Sequence, residues 1–477
     1  MNQFDNTKQL IRECIINCVI DKKYILSSTI VGSFNNSNGL EGISDIDIVI
    51  IVDELNELKF NEIITTFKQL DPSSFNLNNY NIYVNETFGP LKFNTSKNIV
   101  FHVMIYDIDG HVLHVNKSPF TCYSWEKNKP LTGLSLREIF PVVSVQYSDF
   151  IESRRGVLSY IEDLKKGAIS FRKYAFENQK PIVVKDYFTI DKELKYEYSY
   201  HITFNLLRNF YSILDQKDDK IKVNELIENY KTLDSGLKSS LDFFEELFAW
   251  KKKNGILPDN ISNRTILFIQ TFYRFTEKFV KKNSIRFQRH QRTKLNDGSF
   301  LGVKRDPSID SKLVFHDETP YEIGYHSELK RSIETIKYYN CNKLKKSSLL
   351  NEIDYGKAEG LNIKELSEKF PKIILKWTEG KDPKFPEGEN QKDVIKRTNF
   401  FLNELYKNKK KSIIVTHLVV LRMIIFRFSN IPLNNIFKIE IDHLESFDFQ
   451  FFKDYLIPNF ELSFRIKLRR QLSLFHD

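Results

Sequence analysis

Two groups of residues have the types and spacing for chemistry on phosphates, and they lie far apart in the chain. Gly32-Ser33 is followed, after a loop, by Ser44-Asp45-Ile46-Asp47-Ile48-Val49. Asp45 and Asp47 are two apart in an apolar, branched run, so on a strand both carboxylates leave the same face. Paired carboxylates suit a hard cation such as Mg2+ and the phosphates it carries. Beside them, glycine permits close backbone approach, and serine offers a hydroxyl and an N–H to phosphate oxygens. The second group opens at Arg289-His290-Gln291-Arg292-Thr293, with Asn296 and then Arg305-Asp306-Pro307. A neutral histidine nitrogen can attack phosphorus. Arginine's planar fork pairs with two phosphoryl oxygens at once, and a carboxylic acid can protonate a leaving alkoxide.

The elements that must position these groups read as three sections. In residues 1–120, a helical pattern near Gln9–Asp21 precedes strands at Tyr24–Gly32, Ile46–Val52 and Asn98–Tyr106. Val100, His102 and Met104 share one face of the last strand. Residues 121–283 read as helical, through Ser148–Leu164, Tyr196–Leu214, Leu237–Lys251 and Ile266–Val280. At residues 284–477 strands alternate with helices: strand Ser284–Phe287, helices Ser327–Tyr339 and Asp393–Lys407, strand Lys411–Thr416, helix Val419–Phe426. That alternation predicts a largely parallel sheet, with the boundary at a lysine-rich turn, Lys281-Lys282. The expected fold is therefore an α/β multidomain chain with a helical middle domain.

Composition agrees with this division. A chain of 477 residues is too long for one ordinary core, and 41% hydrophobic with 28% charged residues describes a folded chain rather than a disordered one. The formal net charge of +9 suits phosphorylated ligands, but no Arg-rich tail singles out nucleic acid. Cys14, Cys18, Cys122 and Cys341 show no paired metal spacing, which fits a reduced, cytoplasmic compartment. The run Ile46–Val52 is too short to span a membrane, and the N-terminus lacks a signal-peptide pattern. Lone histidines such as His316 and His326 read as surface or core residues.

Gly-Ser followed by Asp-x-Asp between apolar residues resembles the polymerase-β-type nucleotidyltransferase superfamily over roughly residues 20–120. The resemblance implies that Gly32 and Ser33 hold a nucleoside triphosphate and that Asp45 and Asp47 bind Mg2+. It also implies a third acid on a later strand. His102 lies mid-strand where the family often has Asp or Glu, so the expected third acid is Asp107 at the strand's end.

The second group resembles the histidine phosphatase superfamily, which includes the phosphoglycerate mutases, over about residues 284–430. Its first motif is Arg-His-Gly-x-Thr, with Gln291 here in place of glycine. Ser327-Glu328-Leu329-Lys330-Arg331-Ser332, Leu350-Asn351-Glu352-Ile353-Asp354-Tyr355-Gly356 and Ile413-Ile414-Val415-Thr416-His417 match the later motifs. The resemblance implies His290 as nucleophile, Glu352 as general acid and His417 as the second histidine. Arg289, Arg331 and Asn296 would bind phosphate, and no metal is needed. The short stretch from Glu352 to His417 leaves little room for a mutase lid and favours hydrolysis.

On the helix expected at Tyr196–Phe210, Tyr196, Glu197, Tyr198, His201, Asn205 and Arg208 follow a basic series. These read either as a wall of the nucleotide pocket or as an ordinary amphipathic bundle. The expected whole is a two-headed enzyme: Mg2+-dependent nucleotidyl transfer, and phosphomonoester hydrolysis through a phosphohistidine. Its partners would be a nucleoside triphosphate and a phosphorylated small molecule such as a sugar phosphate or nucleotide. RNA-end processing, and a phosphatase regulated by an inactive nucleotide-sensing domain, are the alternatives.

Overall fold

A computed structural model describes residues 3–35, 45–88, 98–216, 221–252, 260–310 and 317–475. Ser44, with the loop before it, and His316 lie outside the described residues.

The first sheet is built from β1 (Ile25–Val31), β2 (Ile46–Val52), β3 (Asn81–Asn85), β4 (Asn98–Asp107) and β5 (Thr132–Gly133), in the order β3-β4-β2-β1-β5. β2 runs antiparallel to β1 and parallel to β4. Because β2 is apolar on both faces, it is central and covered on both sides. Ile48, Ile50 and Val52 join a core with Ile11 and Ile15 of helix Gln3–Val19 and Ile63 and Phe67 of helix Glu57–Lys68. On the opposite face, Val49 and Ile51 meet Met104, Tyr106, Leu136 and Ile139. Asp47 shares this second face by strand alternation. The sheet draws on residues past the expected limit at 120, since Thr132 and Gly133 pair with Ser28 and Ser27.

The middle section has the expected helices, as Tyr147–Lys166, Lys192–Leu214, Lys238–Lys251 and Ile261–Phe279, with Val223–Leu233 added. It is not all helical. A hairpin of β6 (Ala168–Glu177) and β7 (Lys180–Thr189) interrupts it. Its two-residue turn, Asn178-Gln179, takes φ of 52° and 68° at both positions, as a twist-matched hairpin turn requires. The hairpin leans on the first section, where Phe60 of helix Glu57–Lys68 packs against Tyr174 and Phe176 and Phe88 bridges Arg172.

The third section carries β8 (Val280–Arg289), β9 (Asp317–Tyr321), β10 (Ile323–His326), β11 (Tyr339–Cys341), β12 (Leu344–Lys346), β13 (Ser412–Thr416), β14 (Ser446–Phe452) and β15 (Tyr455–Asn459). Six of these form a sheet in the order β12-β10-β13-β8-β14-β15. The first four are parallel, and β14 and β15 close it as an antiparallel hairpin. The helix expected over Ser327–Tyr339 is shorter, Lys330–Ile336.

The turn expected at Lys281-Lys282 is instead strand. β8 follows helix Ile261–Phe279 directly, and Val280 and Lys281 pair with Phe452 and Phe451. Phe452 and Ile457 are part of the middle section's core, and the Phe210 and Phe452 ring centroids lie 4.8 Å apart. Helix Leu462–Leu472 also reaches back. Arg465 Nη1 donates to both carboxylate oxygens of Asp149, at 2.7 and 2.9 Å, with both side chains buried. Arg469 Nε donates to Val142 O at 3.2 Å, and Ser473 Oγ to Ile139 O.

Candidate functional site

β8 and β13 are adjacent parallel strands, and Arg289 pairs with Thr416 at their C-terminal ends. His290 and His417 therefore leave the sheet side by side, with ring centroids 4.9 Å apart. Crevices at the carboxyl ends of parallel strands are the usual place for ligands in such sheets.

Hydrogen bonds fix which nitrogen of each ring is available. His290 Nδ1 faces Gln291 O at 2.6 Å and must carry the proton. Its Nε2 keeps the lone pair. Arg331 Nε donates to His417 Nδ1 at 3.2 Å, which places that ring's proton on Nε2, 2.8 Å from Ser327 Oγ. Burial, with Arg331 beside both rings, pushes both imidazole pKa values well below the ordinary range. Both rings are thus neutral.

Two guanidinium groups surround the histidines. Arg331 is fully buried and donates to Gly302 O at 2.9 Å and Arg305 O at 3.3 Å. Arg289 Nη1 donates to Ile441 O at 2.6 Å, but its buried Nε has no hydrogen-bond partner. An unmatched buried donor of this kind is costly unless an anion meets it.

Glu352 is buried, and its Oε1 accepts from Ile353 N at 3.0 Å and Val419 N at 3.3 Å. Burial raises its pKa, against the lowering pull of Arg331, Arg289 and Arg397. Arg397 anchors this segment by donating to Leu349 O and Glu352 O. Neutral imidazole, two arginines and a carboxyl whose pKa burial raises together can transfer a phosphoryl group to nitrogen and protonate the oxygen that leaves.

Asn296 does not join this cluster through its side-chain carbonyl, which accepts from Thr293 N and Oγ1 at 2.8 and 3.0 Å and closes the loop. Gln291 stands in the expected glycine's place, its N–H donating to Thr335 Oγ1 at 3.0 Å. His326 is buried at the pocket's margin, Nδ1 donating to Ser327 O. His443 went unnoticed in the sequence. It donates from Nδ1 to His290 O at 3.0 Å, with its ring 5.3 Å from that of His290. A lone His in Asp442-His443-Leu444-Glu445 offers no spacing signal that would have found it.

In the N-terminal head, Asp45, Asp47 and His102 offer ligand atoms that all lie within 4.8 Å of one another. Gly32 is pressed against this cluster at φ +73°, and a Cβ there would collide with Asp47 Oδ2. Ser33 is exposed beside it. Lys8 donates to Phe34 O, and Arg12 Nη2 donates to Asn35 Oδ1 at 2.7 Å, so two cations flank the turn Gly32–Asn35. Their spacing of four on the first helix was the available signal.

Asp107, the expected third acid, does not join this cluster. Register decides this: β4 places His102 opposite Asp47 and Asp107 opposite Val52. Five residues of strand separate them, roughly 16 Å. Asp107 instead caps helix Ile108–Lys117, accepting from Gly110 N at 2.7 Å. His102 occupies the third position, with Nδ1 2.8 Å from Asp47 Oδ1 and Nε2 2.7 Å from Thr87 O. Both neighbours are acceptors, so the geometry calls for a proton on each nitrogen. Burial alone would lower the His102 pKa, but the bond to Asp47 and the charges of Asp47 and Asp45 hold it above the ordinary value. Two carboxylates beside a glycine turn fit one Mg2+, while the imidazole is no ligand for it.

The middle-section residues keep to their own core. Glu197 pairs with Lys251 at 2.7 Å and His201 at 3.6 Å, and Tyr196 and Tyr198 are buried among the helices. Arg172, on β6, meets the first head through its backbone, at Phe88.

Residues 311–454 match the family model of the histidine phosphatase superfamily (branch 1). The C-terminal section is therefore a histidine phosphatase superfamily domain. Arg331, Glu352 and His417 fall inside the matched stretch, and Arg289-His290 precede it. The chain is 24% identical over 211 residues to 6-phosphofructo-2-kinase/fructose-2,6-bisphosphatase of Aquarana catesbeiana, covering 42% of this chain and 43% of the relative. It is 31% identical over 107 residues to fructose-2,6-bisphosphatase of Saccharomyces cerevisiae, covering 22% of this chain and 23% of the relative. The chain thus spans less than half the length of these relatives. Among solved structures, the alpha-ribazole phosphatase from Shigella flexneri aligns at 17% identity with TM-score 0.32, over 37% of this chain and 95% of that one. No helix among the described residues is long and apolar enough to cross a membrane.

Proposed function

We propose that the chain is a phosphomonoesterase working through a phosphohistidine, joined to a head that binds a nucleotide. The observation that carries the reading is the tautomer of His290. With its Nδ1 proton donated to Gln291 O, the buried Nε2 is a ready nucleophile between two arginines. Nε2 attacks phosphorus as the P–O bond breaks, and Glu352 gives its proton to the leaving alkoxide. A water then attacks the phosphohistidine, Glu352 takes its proton, and inorganic phosphate leaves with His290 restored. Arg289 and Arg331 hold the phosphoryl oxygens throughout. The names of the relatives favour a phosphorylated sugar as substrate. His290→Ala should abolish phosphate release and the acid-labile, alkali-stable phosphoenzyme, while EDTA should affect neither. Activity lost on metal removal would overturn the reading.

In the N-terminal head, Gly32-Ser33 would cradle the triphosphate of a nucleotide whose Mg2+ is held by Asp45 and Asp47. That ion would supply neutralisation of the triphosphate's charge. Nucleotidyl transfer also needs a carboxylate to receive the acceptor's proton. His102, pointing its two nitrogens at acceptors, cannot serve as that base. This favours nucleotide sensing over transfer. The discriminating assay supplies Mg2+, each nucleoside triphosphate and a broad acceptor pool. Saturable binding without pyrophosphate is expected, and pyrophosphate release would restore the transferase. A steep salt dependence of RNA binding would instead favour RNA-end processing.

A further inference from the structure

A cavity of about 430 Å³ lies where the two heads meet. One wall comes from residues 126–143 of the N-terminal half. The other comes from residues 430–438 of the phosphatase domain, and Leu472 and Leu474 also line it. The volume falls in the range of small-ligand sites, about 300–1,000 Å³.

Cations outnumber carboxylates in its lining. Lys127, Lys129, Arg137 and Lys438 line it, against the carboxylates of Glu126 and Glu138. Both carboxylates are hydrogen-bonded by the protein and also face these cations, Glu138 facing Lys438 and Glu126 facing Arg137 and Lys127. Glu138 accepts from Ser135 N and Oγ at 2.8 and 2.7 Å, and Glu126 from Val142 N at 2.7 Å and Asn430 Nδ2 at 3.3 Å. Arg137 Nε is buried 4.0 Å from Glu126 Oε1 and has no hydrogen-bond partner. Cations from both walls with a donor left unmatched describe a seat for an anion.

Each wall leads to one of the sites described above. On one side, Asn128 Oδ1 accepts from Asn35 Nδ2 at 3.1 Å, and Asn35 ends the Gly32–Asn35 turn. On the other, the turn Leu433–Lys438 runs straight into the segment that holds the phosphatase pocket. Ile439 O accepts from Arg422, Ile441 O from Arg289, and His443 donates to His290 O.

We propose that this cavity binds a small phosphomonoester and links its occupancy to the phosphatase pocket through residues 433–443. An anion drawing Lys438 toward Arg137 and Lys129 pulls on the turn whose continuation fixes Arg289. The link rests on the phosphatase reading; the binding does not.

The test uses the full chain without added metal and two non-hydrolysable probes, the methylenephosphonate analogues of glucose 6-phosphate and of adenosine monophosphate. Calorimetry should show one equivalent that orthovanadate displaces from the phosphatase pocket and one that it does not. Which probe supplies the second equivalent tells a sugar phosphate from a nucleotide. Lys438→Glu, and separately Lys129→Glu, should weaken the second equivalent about tenfold or more, with para-nitrophenyl phosphate hydrolysis unchanged when no probe is present. In the wild type the probe should depart from simple competitive inhibition; in Lys438→Glu it should compete simply. A single, vanadate-displaceable equivalent, or a second one indifferent to both substitutions, overturns the site. Simple competition in the wild type despite a second equivalent overturns the link. Failure of the phosphatase reading would look different: no hydrolysis, with the second equivalent intact.

Discussion

Replacing Glu352 by Gln isolates a single proton. The amide is isosteric, and its oxygen can still accept from Ile353 N and Val419 N, so the fold around the pocket should persist. What disappears is the ionisable carboxyl, whose pKa burial raises and which can donate a proton. A positioned general acid contributes about 10²–10⁴-fold, or roughly 3–5 kcal/mol of barrier. That contribution depends on the leaving group. A sugar alkoxide needs the proton; para-nitrophenolate leaves readily without it. Rapid-quench measurement of phosphohistidine formation separates this step from hydrolysis of the intermediate, where Glu352 also acts. In Glu352→Gln the phosphorylation rate should fall about 10²–10⁴-fold with a sugar phosphate and far less with para-nitrophenyl phosphate. The pH profile adds a sign. Because the Glu352 pKa is raised, the acid form persists above the usual carboxylate range and is lost as pH rises through that raised value. The His290 pKa is depressed, so the nucleophile stays neutral until pH falls well below 6.5. The variant should lose the alkaline limb and keep the acid one. Equal losses on both substrates would refute the role of Glu352 as acid.

Four further outcomes follow from the geometry. Asp107→Asn should leave nucleotide binding intact and shift stability by less than about 1 kcal/mol in a urea melt, since Asn caps a helix as well as Asp; lost binding would return Asp107 to the metal site. Gly32→Ala forces a Cβ onto Asp47 at φ +73° and should abolish nucleotide binding, measured by equilibrium dialysis, while phosphate release continues. Asp149→Ala leaves Arg465 buried without its partner and should cost about 3–5 kcal/mol; a change under about 1 kcal/mol would mean that water reaches that guanidinium. A fragment of residues 284–477 lacks the strand partners of Phe451 and Phe452 and should be insoluble or inactive, whereas a soluble, active fragment would show that the shared sheet and core are dispensable.

The parts legible in the sequence were those with strong local pattern. β2 was readable because a short, β-branched, nearly apolar run suits a strand covered on both faces. The phosphatase set was readable because its members keep their order and types along the chain. The hairpin β6–β7 was not, because its strands mix lysine and arginine with single aromatics and, beyond Ile169, bury little except against Phe60 and Phe88. β8 begins earlier than its own residues suggest, since Val280 and Lys281 become strand only through Phe452 and Phe451, far along the chain. The distance of Asp107 from Asp47 was hidden for a related reason. Sequence tells which residues share a strand, but only register tells which one lies opposite Asp47. His443 depends on a turn at Leu444, φ +66°, that nothing nearby announces.

The return of helix Leu462–Leu472 onto the middle section also bears on how the chain is made. Asp149 and Arg465 are 316 residues apart, and Ile139 and Ser473 are 334 apart. On the ribosome, the helices around Asp149 emerge long before their partners exist. At about 5–20 residues per second, that wait lasts roughly 15–70 seconds. Throughout it, a carboxylate and two backbone carbonyls destined for burial must remain hydrated, and Phe210 lacks Phe452. The nascent middle section is therefore an open, sticky surface until residue 473 has been synthesised. Its folding yield should depend on whatever shields exposed aromatic rings during translation.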